Sequence, residues 1–517
     1  MNRFYVTTPI YYVNDVPHIG HCFTTIVADT LARYHRLAGD ETFFLTGTDE
    51  HGEKIAEAAA LRDTTPQAVA DEYSQRFRAT WEALGFSFDR FIRTTDPDHV
   101  RNVQAVLTRV HEAGDIDFRE YEGLYCVGCE RFLTDRDLVD GRCADHERAP
   151  EPRREGNYFF RLTRYREWLA EYIRAHPDFI RPERYRNEAL AMLREDSGLE
   201  DFSISRPKSR VTWGIELPFD PDHVCYVWFD ALINYLTGIG YPDAPDFDAL
   251  WGATQHVIAK DILKQHALFW PAMLRSMGLP PFRHLNVHGY WSVDGRKISK
   301  SLGNAVDPLL MRERYGFDAF RYFLLREMVF GVDANFTEEA LVTRANADLA
   351  NNLGNLLNRT LNMTERFAGG AVPSAVAVGA PEAEVEAGAR RAATAVHGAV
   401  AEFKFHDALA AIVAFASDVN RYLDARAPWK QAKREGGTAA VHTTLYTAAE
   451  SLRWIALLLA PFLPEAAPRI LAQLGLAASV APGSLPREDA RWGALAAGAP
   501  IARGAPLFPR IERADPR

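Results

Sequence analysis

The sequence predicts an α/β Rossmann-like domain built on a parallel sheet, interrupted by a cysteine-bearing α/β insertion and followed by an all-α bundle. Three observations carry this reading. Strand and helix patterns alternate over residues 1–118 and again over 206–332. A segment rich in Cys, Arg and Pro, 119–205, separates them, and helical periodicity persists over 333–517. At 517 residues the chain is also longer than one hydrophobic core ordinarily organises, so several domains are expected.

The first element is a strand, Phe4-Tyr5-Val6-Thr7-Thr8, followed by a Pro- and Asn-bearing loop. A helix comes next, with Phe23, Ile26, Val27, Leu31 and Tyr34 at helical spacing. A second strand, Thr42-Phe43-Phe44-Leu45-Thr46, runs into Gly47-Thr48-Asp49-Glu50-His51-Gly52. Alternation of this kind predicts a doubly wound parallel sheet with ligands at the carboxyl ends of its strands. After the insertion, strands are expected at Val224-Cys225-Tyr226-Val227-Trp228-Phe229, His256-Val257-Ile258-Ala259 and Leu285-Asn286-Val287-His288. Helices are expected over 349–367, 389–423 and 439–459, and apolar anchors in Pro506-Leu507-Phe508-Pro509-Arg510-Ile511 predict a partly docked tail.

Composition excludes several classes. A hydrophobic share of 47% with 25% charged residues is ordinary for a globular protein, and no apolar run is long enough to span a bilayer. The N-terminal residues enter strand-like sequence without a signal pattern, so a cytoplasmic location is expected. A net charge of −10 argues against indiscriminate nucleic-acid binding while allowing a local basic face. Five cysteines are too sparse for a disulfide scaffold of this size. Three of them fall in Cys126-x2-Cys129-x13-Cys143-x2-His146, two knuckles with zinc-binding spacing. Four protein ligands fill a tetrahedral shell and leave no open position, so one structural Zn2+ is expected.

Two motifs carry phosphate chemistry. His18-Ile19-Gly20-His21 stands between strand and helix, where unpaired backbone N–H groups and the helix dipole favour an anion. Gly20 allows close approach of a nucleotide, and the flanking imidazoles can bring donors onto a polyphosphate. Gly295-Arg296-Lys297-Ile298-Ser299-Lys300-Ser301 places lysines and serines after a strand, suited to a departing phosphate, without the spacing of a P-loop.

Together these motifs resemble the class I aminoacyl-tRNA synthetases. The first matches that family's His-Ile-Gly-His letter for letter, and the second matches its Lys-Met-Ser-Lys-Ser with Ile298 in place of Met. Within the class, the resemblance narrows to the methionyl-tRNA synthetase family. It is carried by Thr8-Pro9-Ile10-Tyr11-Tyr12-Val13-Asn14, Thr46-Gly47-Thr48-Asp49-Glu50-His51-Gly52, Tyr226-Val227-Trp228-Phe229-Asp230-Ala231 and Ala259-Lys260-Asp261-Ile262. The isoleucine, valine and leucine enzymes of the class normally carry an editing insertion larger than the one here. A small-molecule nucleotidylyltransferase would leave the knuckles and the long helical region unexplained.

The resemblance implies ATP-dependent activation of L-methionine and its transfer to tRNA(Met), elongator and initiator. It places ATP, with Mg2+, on His18, Gly20, His21, Lys297, Ser299 and Lys300, of which His18, His21, Lys297 and Lys300 would be catalytic. Methionine would lie against Ile10, Tyr12, Trp228, Ala231, Tyr235, Ile262 and His266, with Asp49 receiving its ammonium group. An apolar and aromatic wall suits an unbranched thioether. One methylene is worth only about 1–3 kcal/mol in such a pocket, so correction of homocysteine is expected in the synthetic site itself. The zinc knuckle resembles that of one subgroup of the family, with His146 where other members have Cys. The helical region would be the anticodon-binding bundle, reading bases with Asn355, Arg359 and Trp429 beside the basic residues Arg421, Arg426, Lys430, Lys433 and Arg434. No appended dimerisation module follows it, so a monomer is expected.

Overall fold

The computed structural model describes residues 2–127, 131–133, 137–144, 147–298, 304–376 and 378–512; the side chains at 121, 131, 132 and 297 lie outside that description. The chain divides into two compact units, one of residues 3–17 and 43–288, the other of Asn2, residues 18–42 and those from 289 onward.

The first unit holds the parallel sheet. Its strands β1 (Arg3–Tyr12), β2 (Glu41–Asp49) and β3 (Arg90–Arg93) pair in the order β3-β2-β1, and the sheet continues through Thr254–Ala259, His284–His288 and Ile180–Arg181. All pairings whose register is defined are parallel, with Tyr5 opposite Thr254, Ile258 opposite Val287 and Leu45 opposite Arg90. Tyr5, Val6, Phe44, Leu45, Val257, Ile258, Leu285 and Val287 are buried, as expected of strands covered on both faces. At the carboxyl end of the sheet the Val13 N–H donates to the Asp49 carbonyl at 3.1 Å, so the loops leaving β1 and β2 are adjacent.

Two strand expectations change. Val227–Leu232 is helical, and the strand before it, Asp220–Cys225, belongs to a three-stranded antiparallel sheet and not to the parallel one. Its aromatic and β-branched residues favour a strand locally, but tertiary bonds override that preference. The Asp230 carboxylate is clamped by two histidines distant in the chain, and the Phe229 and Asp230 N–H groups then make the first helical bonds, to the Tyr226 carbonyl. The parallel sheet also takes its edge strand, Ile180–Arg181, from within 119–205. That segment otherwise forms a four-stranded antiparallel sheet around the long ladder between Ile116–Cys126 and Glu151–Phe160.

The second unit starts with α1 (Ile19–Ala38) and resumes with a small sheet of Trp291–Val293, Arg296–Lys297 and Ala334–Phe336. Helices follow. The stretch 389–423 is not one helix but parts of two, Ala380–Ala401 and Phe405–Arg426. Phe403 turns at φ 59° and packs on Phe330 and Phe405, burying the corner that separates them. The stretch 349–367 opens as a π-helix, Ala345–Gly354, before the regular helix Asn355–Ala368. Asn346 exchanges two side-chain bonds with the Ile511 backbone, both at 2.9 Å, and Leu507 is buried, so the tail docks as expected. Among the described residues no helix is long and apolar enough to cross a membrane.

Candidate active site

The second unit carries the histidine turn. His18 is the extended N-cap residue of α1 (φ −133°, ψ 176°); the Gly20 N–H donates to its Nδ1 at 3.1 Å. In return the His18 N–H donates to His21 Nδ1 at 3.4 Å, a reciprocal capping box made by two imidazoles. Because both Nδ1 atoms accept, the proton of each neutral ring sits on Nε2, making that edge the donor. The rings stack with centroids 3.9 Å apart. Desolvation by burial, reinforced by the neighbouring His18 imidazole, holds the His21 pKa well below its ordinary value, so at neutral pH His21 is an uncharged donor. The missing side chain of Gly20 leaves room for the His18 ring: a Cβ there would lie 3.0 Å from His18 Cε1 and 3.2 Å from its Nδ1, and the ring would have to shift by a few tenths of an ångström.

The lysine motif begins in the same unit. Asp294 and Gly295 turn at φ 50° and 74°, the left-handed pair that closes a tight hairpin, and set Lys297 opposite Ser292. Asn335 Oδ1 receives the Gly295 N–H at 2.7 Å and fixes the turn. Ser299, Lys300 and Ser301 lie outside the described residues, as does the Lys297 side chain. The chain leaving that loop is tied back to the histidine turn, for the Ile19 N–H donates to the Val306 carbonyl at 3.0 Å.

The first unit carries the apolar set. Tyr235, buried, donates its hydroxyl to His266 Nε2 at 2.8 Å, while His266 Nδ1–H donates to the Ile262 carbonyl at 3.0 Å. The two bonds fix the tautomer and orientation of His266, and burial lowers its pKa to about 4, keeping it neutral. His266 lies in a π-helix, Gln265–Phe269, an irregularity common at functional sites. Trp228, half-buried, meets His266 edge-on at 6.4 Å between ring centroids. Ile10 and Ile262 pack on the core cluster that includes Tyr235, whereas Tyr12 packs on a separate small cluster around Val13 and Ile55. Asp49 is buried at the end of β2, and its charge reaches Tyr235, whose pKa is raised chiefly by burial. Ala231 is buried on the short helix that also presents Trp228.

Sequence reasoning passed over the group that holds this helix. Asp230, fully buried, accepts from His51 Nδ1 at 2.6 Å and His99 Nε2 at 2.7 Å. Burial alone would raise its pKa, but the two imidazoles outweigh it and keep the carboxyl below its usual range. His51 and Asp230 both stand inside quoted motif stretches, which was the available signal; His99 had none. A bidentate pair, Arg93 on buried Glu50 at 2.7 and 2.8 Å, anchors the loop after β2 beside them.

Of the metal set, Cys126 and Cys143 are buried in one small cluster with Leu133, and Leu138 packs against it. The Glu147 N–H donates to the Cys143 carbonyl at 2.8 Å. Cys129 and His146 lie outside the described residues. Two buried thiols in one cluster, on two knuckles, fit a shared soft ion.

In the bundle, Arg359 contacts Asn420 at 3.3 Å, pairs with Asp424 at 2.5 Å, and has its guanidinium 6.0 Å from the Trp429 ring centroid. Asn355, exposed, lies one helical turn before Arg359, and Trp429 is 37% exposed, enough to offer a face to a base. The expected basic patch is partly neutralised: Arg421 pairs with Asp418, and Arg426 with Glu382.

Comparison with known proteins decides what these sets belong to. The family model for class I tRNA synthetases (M) matches residues 4–148 and 136–361, and that for the anticodon binding domain of methionyl tRNA ligase matches 372–516. The methionine–tRNA ligase of Deinococcus radiodurans is 48% identical over 99% of this chain and 75% of its own length. That of Thermosynechococcus vestitus is 43% identical over 98% of both chains. The chain belongs to the methionyl-tRNA synthetase family. A solved family member, Mycobacterium tuberculosis methionyl-tRNA synthetase in complex with methionyl-adenylate, superposes with a TM-score of 0.92 at 42% identity, covering 99% of this chain and 100% of that one. As in the rest of this family of class I enzymes, the activity is ligation of methionine to tRNA.

Proposed function

We propose that the histidine turn and the lysine loop activate methionine with ATP, and that the set around Tyr235 and His266 selects the amino acid. The observation that carries the reading is the reciprocal cap of His18 and His21, which holds two stacked imidazoles by their Nδ1 atoms at a helix N-terminus. In the first step the methionine carboxylate attacks the α-phosphorus of ATP, the bond to the β-phosphate oxygen breaks, and pyrophosphate leaves. His18 and His21 donate to the α-phosphate as charge builds there, and Gly20 lets it approach the backbone. Lys297, Ser299 and Lys300 bind and neutralise the leaving pyrophosphate. Mg2+, when bound with ATP, would supply further charge neutralisation on the phosphates.

Methionine lies against Ile10, Tyr12, Trp228, Ala231, Tyr235, Ile262 and His266, with its ammonium group on Asp49. A neutral His266, fixed by Tyr235, can face a thioether without the desolvation cost of a buried cation. In the second step the terminal ribose hydroxyl of tRNA attacks the activated carbonyl and releases AMP. Asn355, Arg359 and Trp429 read the anticodon. Cys126, Cys129, Cys143 and His146 would hold one zinc ion that keeps the knuckles folded. The same reading, resting on the family resemblance, has the enzyme charge initiator and elongator tRNA(Met) as a cytoplasmic monomer and divides it at 118, 205 and 332.

ATP–pyrophosphate exchange over all twenty amino acids tests the substrate, with methionine alone expected to support fast exchange. Lys300→Ala and His21→Asn should each lower kcat with little change in the KM for methionine; parent rates in both would overturn the catalytic assignment. Elemental analysis should find one zinc per chain, and none in Cys126→Ser/Cys143→Ser.

A further inference from the structure

A fully buried arginine grips the histidine helix from the side. Arg321 lies on the helix Phe317–Glu327, at zero exposure. Its Nη1 stands 2.6 Å from Oδ2 of Asp29, also fully buried, and its Nη2 donates to the Thr30 hydroxyl at 2.9 Å. The same Nη2 donates to the Pro461 carbonyl at 3.1 Å, and Nε donates to the Phe462 carbonyl at 2.6 Å. Arg33 also reaches Asp29, at 2.8 Å. One turn before Arg321, the Asp318 carboxylate receives the N–H groups of Glu465 and Ala466 at 3.1 and 2.6 Å, so the same helix is fastened to the segment that starts Ala466–Gln473. Asp29 and Thr30 sit on α1 about two to three turns from His18–His21.

An apolar contact at this depth would hold α1 to the core more cheaply, because burying two charges is costly even when they pair. What a forked ion pair adds is register: an aliphatic contact tolerates a small slide or roll of a helix, whereas hydrogen bonds and charges lose their partners. The catalytic turn is the N-terminus of α1, so any slide of the helix moves both imidazoles. A misplacement near 1 Å can cost about a hundredfold in rate.

We propose that Arg321 and Asp29 are positioning residues for methionine activation, setting the axial and rotational register of α1 and so the placing of His18 and His21. The inference rests on the catalytic reading of those two histidines. It is tested with Arg321→Met/Asp29→Leu, which replaces both fully buried charges together and leaves only the partly exposed Arg33 without its carboxylate, and with Arg321→Lys, which keeps the charge and loses the fork.

In ATP–pyrophosphate exchange the double variant should lose tenfold or more in kcat, with the KM for methionine within about twofold of the parent, and Arg321→Lys should fall between them. Added to His21→Asn, the double variant should cost much less than it does alone, because an absent imidazole cannot be misplaced. Parent kcat in a folded double variant overturns the proposal, and so does full additivity with His21→Asn. If the double variant fails to fold, parent kcat in Arg321→Lys overturns it. If His21→Asn itself has parent kcat, the catalytic reading has failed and not merely the positioning one.

Discussion

Replacing Gly20 by alanine separates the stability of α1 from its chemistry. The added Cβ would stand 3.0 Å from His18 Cε1, closer than an ordinary van der Waals contact, so the ring must retreat by a few tenths of an ångström. His18 caps the helix through the Nδ1 that Gly20 itself donates to, and a displaced ring weakens that bond, at a cost of about 1 kcal/mol. Alanine in place of glycine returns up to about 1 kcal/mol through backbone entropy and helix propensity. The two effects nearly cancel, and the melting temperature should stay within about 3 °C of the parent.

The chemistry has no such compensation. His21 is stacked on His18 at 3.9 Å and moves with it, so both donors leave the α-phosphate position. A shift of this size should lower kcat by about tenfold, roughly 1.4 kcal/mol of transition-state stabilisation. Paired calorimetry and ATP–pyrophosphate exchange are the assays. A folded Gly20→Ala chain with parent kcat would refute the argument that the glycine is there to seat the imidazoles.

Asp230→Asn should destabilise the fold by about 3 kcal/mol, since it weakens both buried histidine bonds at once; unchanged urea denaturation would contradict this. The parent carboxyl has a folded pKa below its unfolded one, so its contribution is present above about pH 4 and fades as pH falls through the folded value. His266, lowered to about 4 from an ordinary value near 6.5, also contributes stability that is complete above the unfolded value and drains away down to the folded one. The whole loss is about 3 kcal/mol, and His266→Gln should flatten the melting profile between pH 6.5 and 4; equal slopes in the two proteins would dismiss it. Trp429→Ala should raise the KM for tRNA by about tenfold in aminoacylation while exchange without tRNA stays at the parent rate, and a parent KM would remove the indole from recognition.

What was legible in the sequence was local. The His18–His21 turn, the hairpin before Lys297 and the start of α1 are set by neighbours a few residues apart, so residue type and spacing describe them well. Val227–Phe229 was read as the end of a strand, Val224–Phe229, because its aromatic and β-branched residues suit one, while the groups that hold it in a helix, His51 and His99, stand far away in the chain. The edge strand Ile180–Arg181 is two residues long, too short to show a period. The clamp of Arg321 on Asp29 spans almost three hundred positions, and nothing at either residue marks its partner. In the candidate pocket Tyr235, Ile262 and His266 are brought together, while the hydrogen bonds that choose the tautomer of His266 are visible only in three dimensions.

The wide turns Gln265–Phe269 and Ala345–Gly354 each carry surplus residues relative to a regular helix. Each residue of an α-helix advances it by about 100° of rotation. The wide turn winds less per residue, so it takes up its surplus while the helices on either side, Glu338–Arg344 and Asn355–Ala368, continue as regular ones. Deleting one residue inside Ala345–Gly354 would thus restore ordinary winding while leaving the face that bears Asn355 and Arg359 close to its present bearing. A one-residue change of length in this stretch is therefore a change of winding and not of aim.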